Sequence, residues 1–258
     1  MSEAVTVLRD GAIGIIELSR PDKFNCLSGE MHRRIDAARA GFEADADLRA
    51  ILLRGQGRHF CTGADLDEVK AILDDAAALD RFIGEGMAVL RRLETSPLPV
   101  IVAVQGLCLA GGLELVLAAD VCIAAESASF GDQHARFGLI PGWGGSQRLT
   151  RVIGLRRALD LMLSARWMTA LEAQAVGLVS QVVPDAGLEE AALDYCRTLT
   201  TRSRAGLALM KRLGREGLEM TLDQGMRLER DAALRHLPGA DAAEGLAAFA
   251  GRRAPQFP

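Results

Sequence analysis

The sequence predicts an α/β fold with a helical C-terminal part. Three observations carry this: short apolar segments of strand length alternate with segments of helical period, glycine turns close several of the apolar segments, and the pattern beyond about residue 187 is helical to the end. Apolar strands alternating with helices specify a largely parallel sheet covered by helices. On this reading the chain divides into an α/β core over 1–195 and a helical region over 196–258.

Residues 4–8 (AVTVL) and 12–18 (AIGIIEL) form two strand candidates around Asp10-Gly11, a hairpin-type turn. Ser28 is placed to cap a helix running to about Ala44, with Met31, Ile35, Ala38 and Phe42 on one face. Residues 50–54 (AILLR) make a continuous apolar strand that ends at Gly55-Gln56-Gly57. A helical stretch near 78–95 is broken by Pro97 and Pro99, and 100–104 (VIVAV) reads as a strand buried on both faces. From Gly106 a glycine-rich turn opens a helix that runs to about Asp120, and 121–125 (VCIAA) returns as a strand. Only breakers such as Pro238-Gly239 interrupt the later helices, and there is no tandem repeat or low-complexity tract.

Composition narrows the function classes. A hydrophobic share of 49% in 258 residues supports a well-buried core, which the 4% of aromatic residues leaves to aliphatic side chains and alanine. A net charge of −4 gives no general attraction to nucleic acid or anionic membrane, so an anionic ligand must be held by a local site. The five cysteines (Cys26, Cys61, Cys108, Cys122, Cys196) form no CxxC pair and read as reduced thiols. No secretory signal is visible near Met1, and no apolar run approaches the roughly 18 residues of a membrane span. The expectation is a soluble cytoplasmic protein.

Two glycine turns stand out. Phe60-Cys61-Thr62-Gly63-Ala64-Asp65-Leu66 follows one strand and its loop, and Gly106-Leu107-Cys108-Leu109-Ala110-Gly111-Gly112-Leu113-Glu114 follows another. Each leads into a helix, whose first N–H groups have no intrahelical partner and whose dipole favours negative charge. Two such turns facing each other would make an oxyanion hole. Neither forms a GxGxxG or Walker A sequence, and Ser146 lacks a GxSxG setting. His32, His59 and His236 show no metal-ligand spacing and read as structural or surface residues, so no metal site is expected.

With the segment from Ser129 to Gly145 (SFGDQHARFGLIPGWGG) added, the chain closely resembles the crotonase superfamily, the enoyl-CoA hydratase/isomerase family, along nearly its whole length. The matching pieces are Leu18-Ser19-Arg20-Pro21 with Asn25, the FCTGADL turn, LAGGLEL leading to Ala119-Asp120, PGWGGSQRLTR, 173–183 (AQAVGLVSQVV) and the terminal stretch from Phe249 to Phe257. They occur in the family's order and spacing.

The resemblance implies a ClpP/crotonase-like spiral of ββα repeats, with a helical C-terminal region that assembles homotrimers or dimers of trimers. Arg212, Arg227 and Arg230 lie in that region. It implies an acyl-CoA thioester as substrate, with CoA part of the substrate and no separate cofactor. The backbone N–H groups of Ala64 and Gly111 take the oxyanion-hole positions, and Glu114 takes that of the glutamate that activates water. A first-turn glutamate is also what the helix dipole alone favours.

The position that carries a second acid in hydratases holds His134 here, a departure from the family pattern. Imidazole titrates near neutral pH, so His134 can act as acid or base, or can line the site without transferring protons. Asp132 is an alternative acid, and it or Gln133 could cap the turn that follows. Lys23 and Arg20, together with Ala64, Asp65 and Leu66, fall where the family places CoA, with Asp65 bracing its turn. Trp143, with Pro141 and Gly142, falls where the acyl pocket is expected; core or interface packing is the other reading of Trp143. Three functions follow: hydration of a trans-2-enoyl-CoA to a 3-hydroxyacyl-CoA; another reaction on the same enolate, such as isomerisation, decarboxylation or carbon–carbon cleavage; or silent acyl-CoA binding.

Overall fold

A computed structural model of the chain describes residues 4–257. Strands β1 (Val5–Asp10) and β2 (Ile13–Leu18) form the expected antiparallel hairpin, with Gly11 at φ 57° in its turn. Helix α1 (Gly29–Ala44) follows, its first turn capped by the Ser28 hydroxyl, which accepts the Met31 N–H. Then come β3 (Ala50–Gly55), α2 (Leu66–Ile72), α3 (Ala76–Thr95) and β4 (Val100–Val104).

The expected helix after Gly106 begins later than the sequence suggested. A three-residue strand, β5 (Leu107–Leu109), comes first, and α4 (Gly111–Ala118) starts beyond it. Three residues are too few to show a strand's two-residue alternation, so the pattern merged them with the helix. After β6 (Val121–Ala125), β7 (Ser129–Gly131) pairs in parallel with β5. Helices α5 (Gly145–Ile153) and α6 (Leu155–Ser164), β8 (Met168–Thr169), α7 (Ala170–Ala175) and β9 (Gln181–Val183) complete the core. The C-terminal helices are α8 (Leu188–Thr200), α9 (Arg204–Gly217), α10 (Leu222–His236) and α11 (Ala240–Ala250).

The main sheet has six strands in the order β1-β2-β3-β4-β6-β9, all parallel except the first pair. A second sheet, β5-β7-β8, holds the site's turn. Central strands are buried on both faces because alternate side chains enter different layers. Ile16, Leu18, Ile51, Leu53, Val100 and Val102 pack with Met31, Ile35, Val89 and Leu90 from α1 and α3. Ile13, Ile15, Ala50, Leu52 and Ile101 face the other way, onto Leu188, Ala192 and Cys196 of α8. Each such aliphatic side chain contributes on the order of 1.5–3 kcal/mol. The division anticipated at 195/196 falls inside α8. Among the described residues no helix is long and apolar enough to cross a membrane.

Candidate active site

The two glycine turns are laced together as neighbouring strands. Cys61 and Cys108 pair as a parallel bridge: the Cys61 N–H donates to Leu107 O at 3.1 Å and the Leu109 N–H to Cys61 O at 3.0 Å. On the other side Leu27 pairs with Ala64, with Leu27 N–H to Gly63 O at 2.7 Å and Asp65 N–H to Leu27 O at 2.8 Å. In the trans peptide joining Gly63 to Ala64 the N–H points opposite to the C=O, so the Ala64 N–H turns away from Leu27. Neither the Ala64 nor the Gly111 N–H donates a hydrogen bond among the described residues. Gly111 is the first residue of α4, where no intrahelical partner exists.

Both glycines are required by contact. Gly63 has φ 109°, and a Cβ there would lie 3.0 Å from the Ala110 methyl and 3.2 Å from the Gly111 nitrogen. A Cβ on Gly111 would collide with Cζ3 of Trp143. Ala110 sits at φ 48°, ψ −116°, backbone that costs an L-residue on the order of 1–3 kcal/mol and is held only by its surroundings.

Buried polar groups hold this arrangement. Asn25, fully buried, accepts the Arg20 N–H and donates to Gln56 O and His59 O at 2.9 and 2.8 Å. The His59 Nδ1 in turn accepts the Leu107 N–H at 3.1 Å, which ties β5 to the first turn. Asp65, 7% exposed, caps α2 through the Asp67 N–H and binds the Arg20 guanidinium at 2.8 Å. Arg20 thus points inward to Asp65 and Cys26 O. Lys23 stands half-exposed beside Asp67 at 3.1 Å, and Leu66 is exposed next to the cap.

Glu114 lies in the first turn of α4, 2% exposed. Its Oε1 accepts the Trp143 N–H at 2.7 Å and the Gly145 N–H at 2.8 Å, while Oε2 has no hydrogen bond among the described residues. Burial pushes its carboxyl above the ordinary carboxylate value, and the Gly145 N–H, His134 and the Trp143 N–H offset only part of that.

His134 opens the short turn His134–Phe137, its Nδ1 3.0 Å from Oδ1 of the buried Asp132. An ionised Asp132 makes that nitrogen the donor and leaves Nε2 for a substrate or water. Burial works against the charged imidazole, but the Asp132 hydrogen bond and charge, with Glu114 behind them, hold it above its ordinary value. Asp132 also accepts the His134 backbone N–H at 3.3 Å. It acts on the imidazole and on the turn at once.

Trp143 is 3% exposed and belongs to the core cluster, its ring over Gly111 and edge-on to His32 at 4.5 Å between centroids. Pro141 and Gly142 lead into it half-buried, with Gly142 near Ile83. Of the two readings offered for His32, structural or surface, its position in the core matches the structural one. It is fully buried, neither ring nitrogen has a partner among the described residues, and burial and Arg33 lower its pKa to about 4. Its helical neighbours Arg33 and Arg34 made that position look solvated; only the crossing of α3 at Gly86, where a Cβ would touch both His32 and Trp143, buries it. No His/Cys/Asp/Glu cluster able to hold a metal occurs among the described residues.

A helix-covered parallel sheet whose paired glycine turns leave two backbone N–H groups unengaged, with a buried carboxylate in the helix that follows one of them, has close counterparts among solved structures. An enoyl-CoA hydratase from Bacillus anthracis superposes with a TM-score of 0.95 at 33% identity, covering 99% of each chain. One from Polaromonas sp. gives 0.96 at 31% identity, covering 99% of this chain and 100% of the other. These define the class as the crotonase fold.

The sequence profile described as "Enoyl-CoA hydratase/isomerase" matches residues 9–258. A probable enoyl-CoA hydratase of Mycobacterium tuberculosis is 38% identical over 255 residues, 99% of this chain and 98% of that one. A 1,2-epoxyphenylacetyl-CoA isomerase of Escherichia coli is 37% identical over 247 residues, 94% and 93% of the two chains. The chain belongs to the enoyl-CoA hydratase/isomerase family.

Proposed function

We propose that the protein is an enoyl-CoA hydratase, adding water to a trans-2-enoyl-CoA to give a 3-hydroxyacyl-CoA. The observation that carries this reading is Glu114: buried, fixed through Oε1 by two N–H groups, and with Oε2 unengaged beside the donor turns. Oε2 holds a water and takes its proton as the oxygen attacks the β-carbon. Negative charge moves to the thioester oxygen, where the Ala64 and Gly111 N–H groups meet it. Preorganised donors of this kind are worth roughly 3–4 kcal/mol each. His134, charged and held by Asp132, delivers a proton to the α-carbon, and solvent exchange restores both groups. The reaction balances without a redox or metal cofactor, CoA being part of the substrate.

Arg20, Lys23, Asp65 and Leu66 stand at the edge of the first turn, where the CoA end of the substrate would lie. Exposed Leu222, Met226, Leu246 and Phe249 on α10 and α11 support assembly of a homotrimer or a dimer of trimers. Isomerisation of a double bond on the same enolate is the second reading, favoured by the Asp132–His134 pair beside Glu114, which gives the site two proton-transfer groups.

The test is a panel of enoyl-CoA thioesters followed by loss of the conjugated absorbance, with product identification. Formation of 3-hydroxyacyl-CoA supports the hydratase, and a shifted double bond without water uptake replaces it with the isomerase. Tight binding without turnover on any chain length overturns both.

A further inference from the structure

Three successive peptide groups in the loop entering α5 alternate in what they grip. The Trp143 and Gly145 N–H groups both donate to Glu114 Oε1. Between them, the Trp143 carbonyl accepts from Nη1 of Arg148 at 2.7 Å. Arg148 reaches back from the first turn of its helix across Gly144, which at φ 99° leaves room only because it lacks a Cβ. Its Nη2 donates to Glu94 Oε2 at 2.9 Å, and its Nε is buried without a partner among the described residues.

The guanidinium is therefore not spent on a two-pronged pair with Glu94. A buried ion pair of this kind adds little net stability, because desolvating both charges offsets their attraction. Dividing the fork between a carboxylate and one backbone carbonyl is unfavourable for pairing, but it fixes that carbonyl.

Glu94 passes the hold onward. Its Oε1 binds Arg215 of α9 at 3.0 Å, and Arg215 also donates to Ala119 O at 2.9 Å and to Asp120 Oδ1 at 2.7 Å, at the far end of α4. Lys211 joins at Asp120, 2.7 Å away. The helix that carries Glu114 and the loop that clamps its carboxylate are thus tied to the same side chains of the C-terminal region.

We propose that Arg148, fixed by Glu94 and through it by Arg215, is a positioning residue that sets the Trp143 and Gly145 N–H groups on the Glu114 carboxylate, so that the catalytic group is seated from the C-terminal helices. This rests on Glu114 acting as proposed above. The titratable groups that face Glu114 are His134 and Asp132, and His134 governs the alkaline side of the profile, so the acid side reports on Glu114.

The experiment uses the full chain and compares Arg148→Met, Arg148→Lys, Glu94→Gln and Arg215→Met with Glu114→Gln, measuring kcat, KM, the acid limb of kcat and thermal unfolding. Loosening the clamp is a displacement of an ångström or so, which costs roughly 10–100-fold in rate. Arg148→Met should lower kcat by about that factor with KM within about threefold, and its acid limb should move to higher pH as the carboxylate loses N–H donors. Lysine, with one point of charge for two acceptors, should not restore the rate. Glu94→Gln and Arg215→Met should shift kcat and the limb the same way, by less. Variants that melt earlier yet keep the wild-type kcat and acid limb while folded, with Glu114→Gln inactive, overturn the positioning role alone. An active Glu114→Gln overturns it together with the reading it rests on. Should Arg148→Met fail to fold, Arg215→Met decides by the same two readings.

Discussion

Glu94 and Glu114 are both buried carboxylates, 8% and 2% exposed, at opposite ends of one connected network, and their surroundings drive them in opposite directions. At Glu94 burial raises the carboxyl, but hydrogen bonds from Arg148 and Arg91 and the charge of Arg215 outweigh it and hold it below its ordinary value. At Glu114 the partners are backbone N–H groups, which carry no net charge, and burial wins. A carboxylate surrounded by guanidinium groups is locked as an anion and serves structure. One whose hydrogen bonds come from amides, with His134 the nearby positive group, is held above its ordinary value instead. The histidines repeat the contrast: Asp132 keeps His134 chargeable, while His32, among Trp143 and Phe82, is held neutral.

The sharpest way to break the comparison is to remove each acid. Glu114→Gln should lower kcat by roughly 10²–10⁴ with the melting temperature little changed, since an amide oxygen still accepts both N–H groups. Isothermal titration with a product analogue should still show binding; retained turnover would place the chemistry elsewhere. Next comes Gly111→Ala, which needs neither acid changed. The new methyl meets the Trp143 ring, the donor is displaced, and kcat should fall by roughly 10²–10³, read by single-turnover kinetics.

Glu94→Gln is the mirror experiment, with stability as the principal loss. Breaking a buried pair costs up to roughly 3–5 kcal/mol, measurable by urea unfolding, because Arg148 loses its counter-charge while Arg215 keeps Asp120.

The histidine contrast is tested by pH. Because His134 is raised, it stays protonated to higher pH than an ordinary imidazole, and activity should fall on the alkaline side as that proton is lost. Asp132→Asn removes what raises it, so that limb should move to lower pH. An unmoved limb would exclude His134 as the donor.

His32 gives the smallest effect. Its folded pKa of about 4 lies below the 6.5 of the unfolded chain, so the unfolded state binds the extra proton between those values. Stability from this site is present above pH 6.5 and is lost as pH falls toward 4, by roughly 3 kcal/mol. In His32→Gln the melting temperature should fall less steeply through that window.

Much of the main sheet was legible because its strands are long and apolar: Ile13–Leu18, Ala50–Gly55 and Val100–Val104 lie close to where the pattern put them. The second sheet was not, because β5, β7 and β8 are three, three and two residues long and are defined only by what pairs with them. At the candidate site the resemblance proposed Ala64, Gly111, Glu114 and His134, and the glycines announced the two turns that the Cys61–Cys108 bridge brings together. What the pattern missed is side-chain partnership over distance. Glu94 reaches Arg148 across 54 residues and Arg215 across 121, and nothing local to any of them announces it. His32 was obscured in the same way, its burial being the work of a helix fifty residues further on.

The backbone at Ala110 has one more consequence. Its methyl is what a side chain on Gly63 would strike, so the distance between the two donor turns is gauged by a single methyl group resting against a bare glycine. A larger group at either position would push the two turns apart, so their separation is set by residue size at Gly63 and Ala110 and not by any charged or polar side chain.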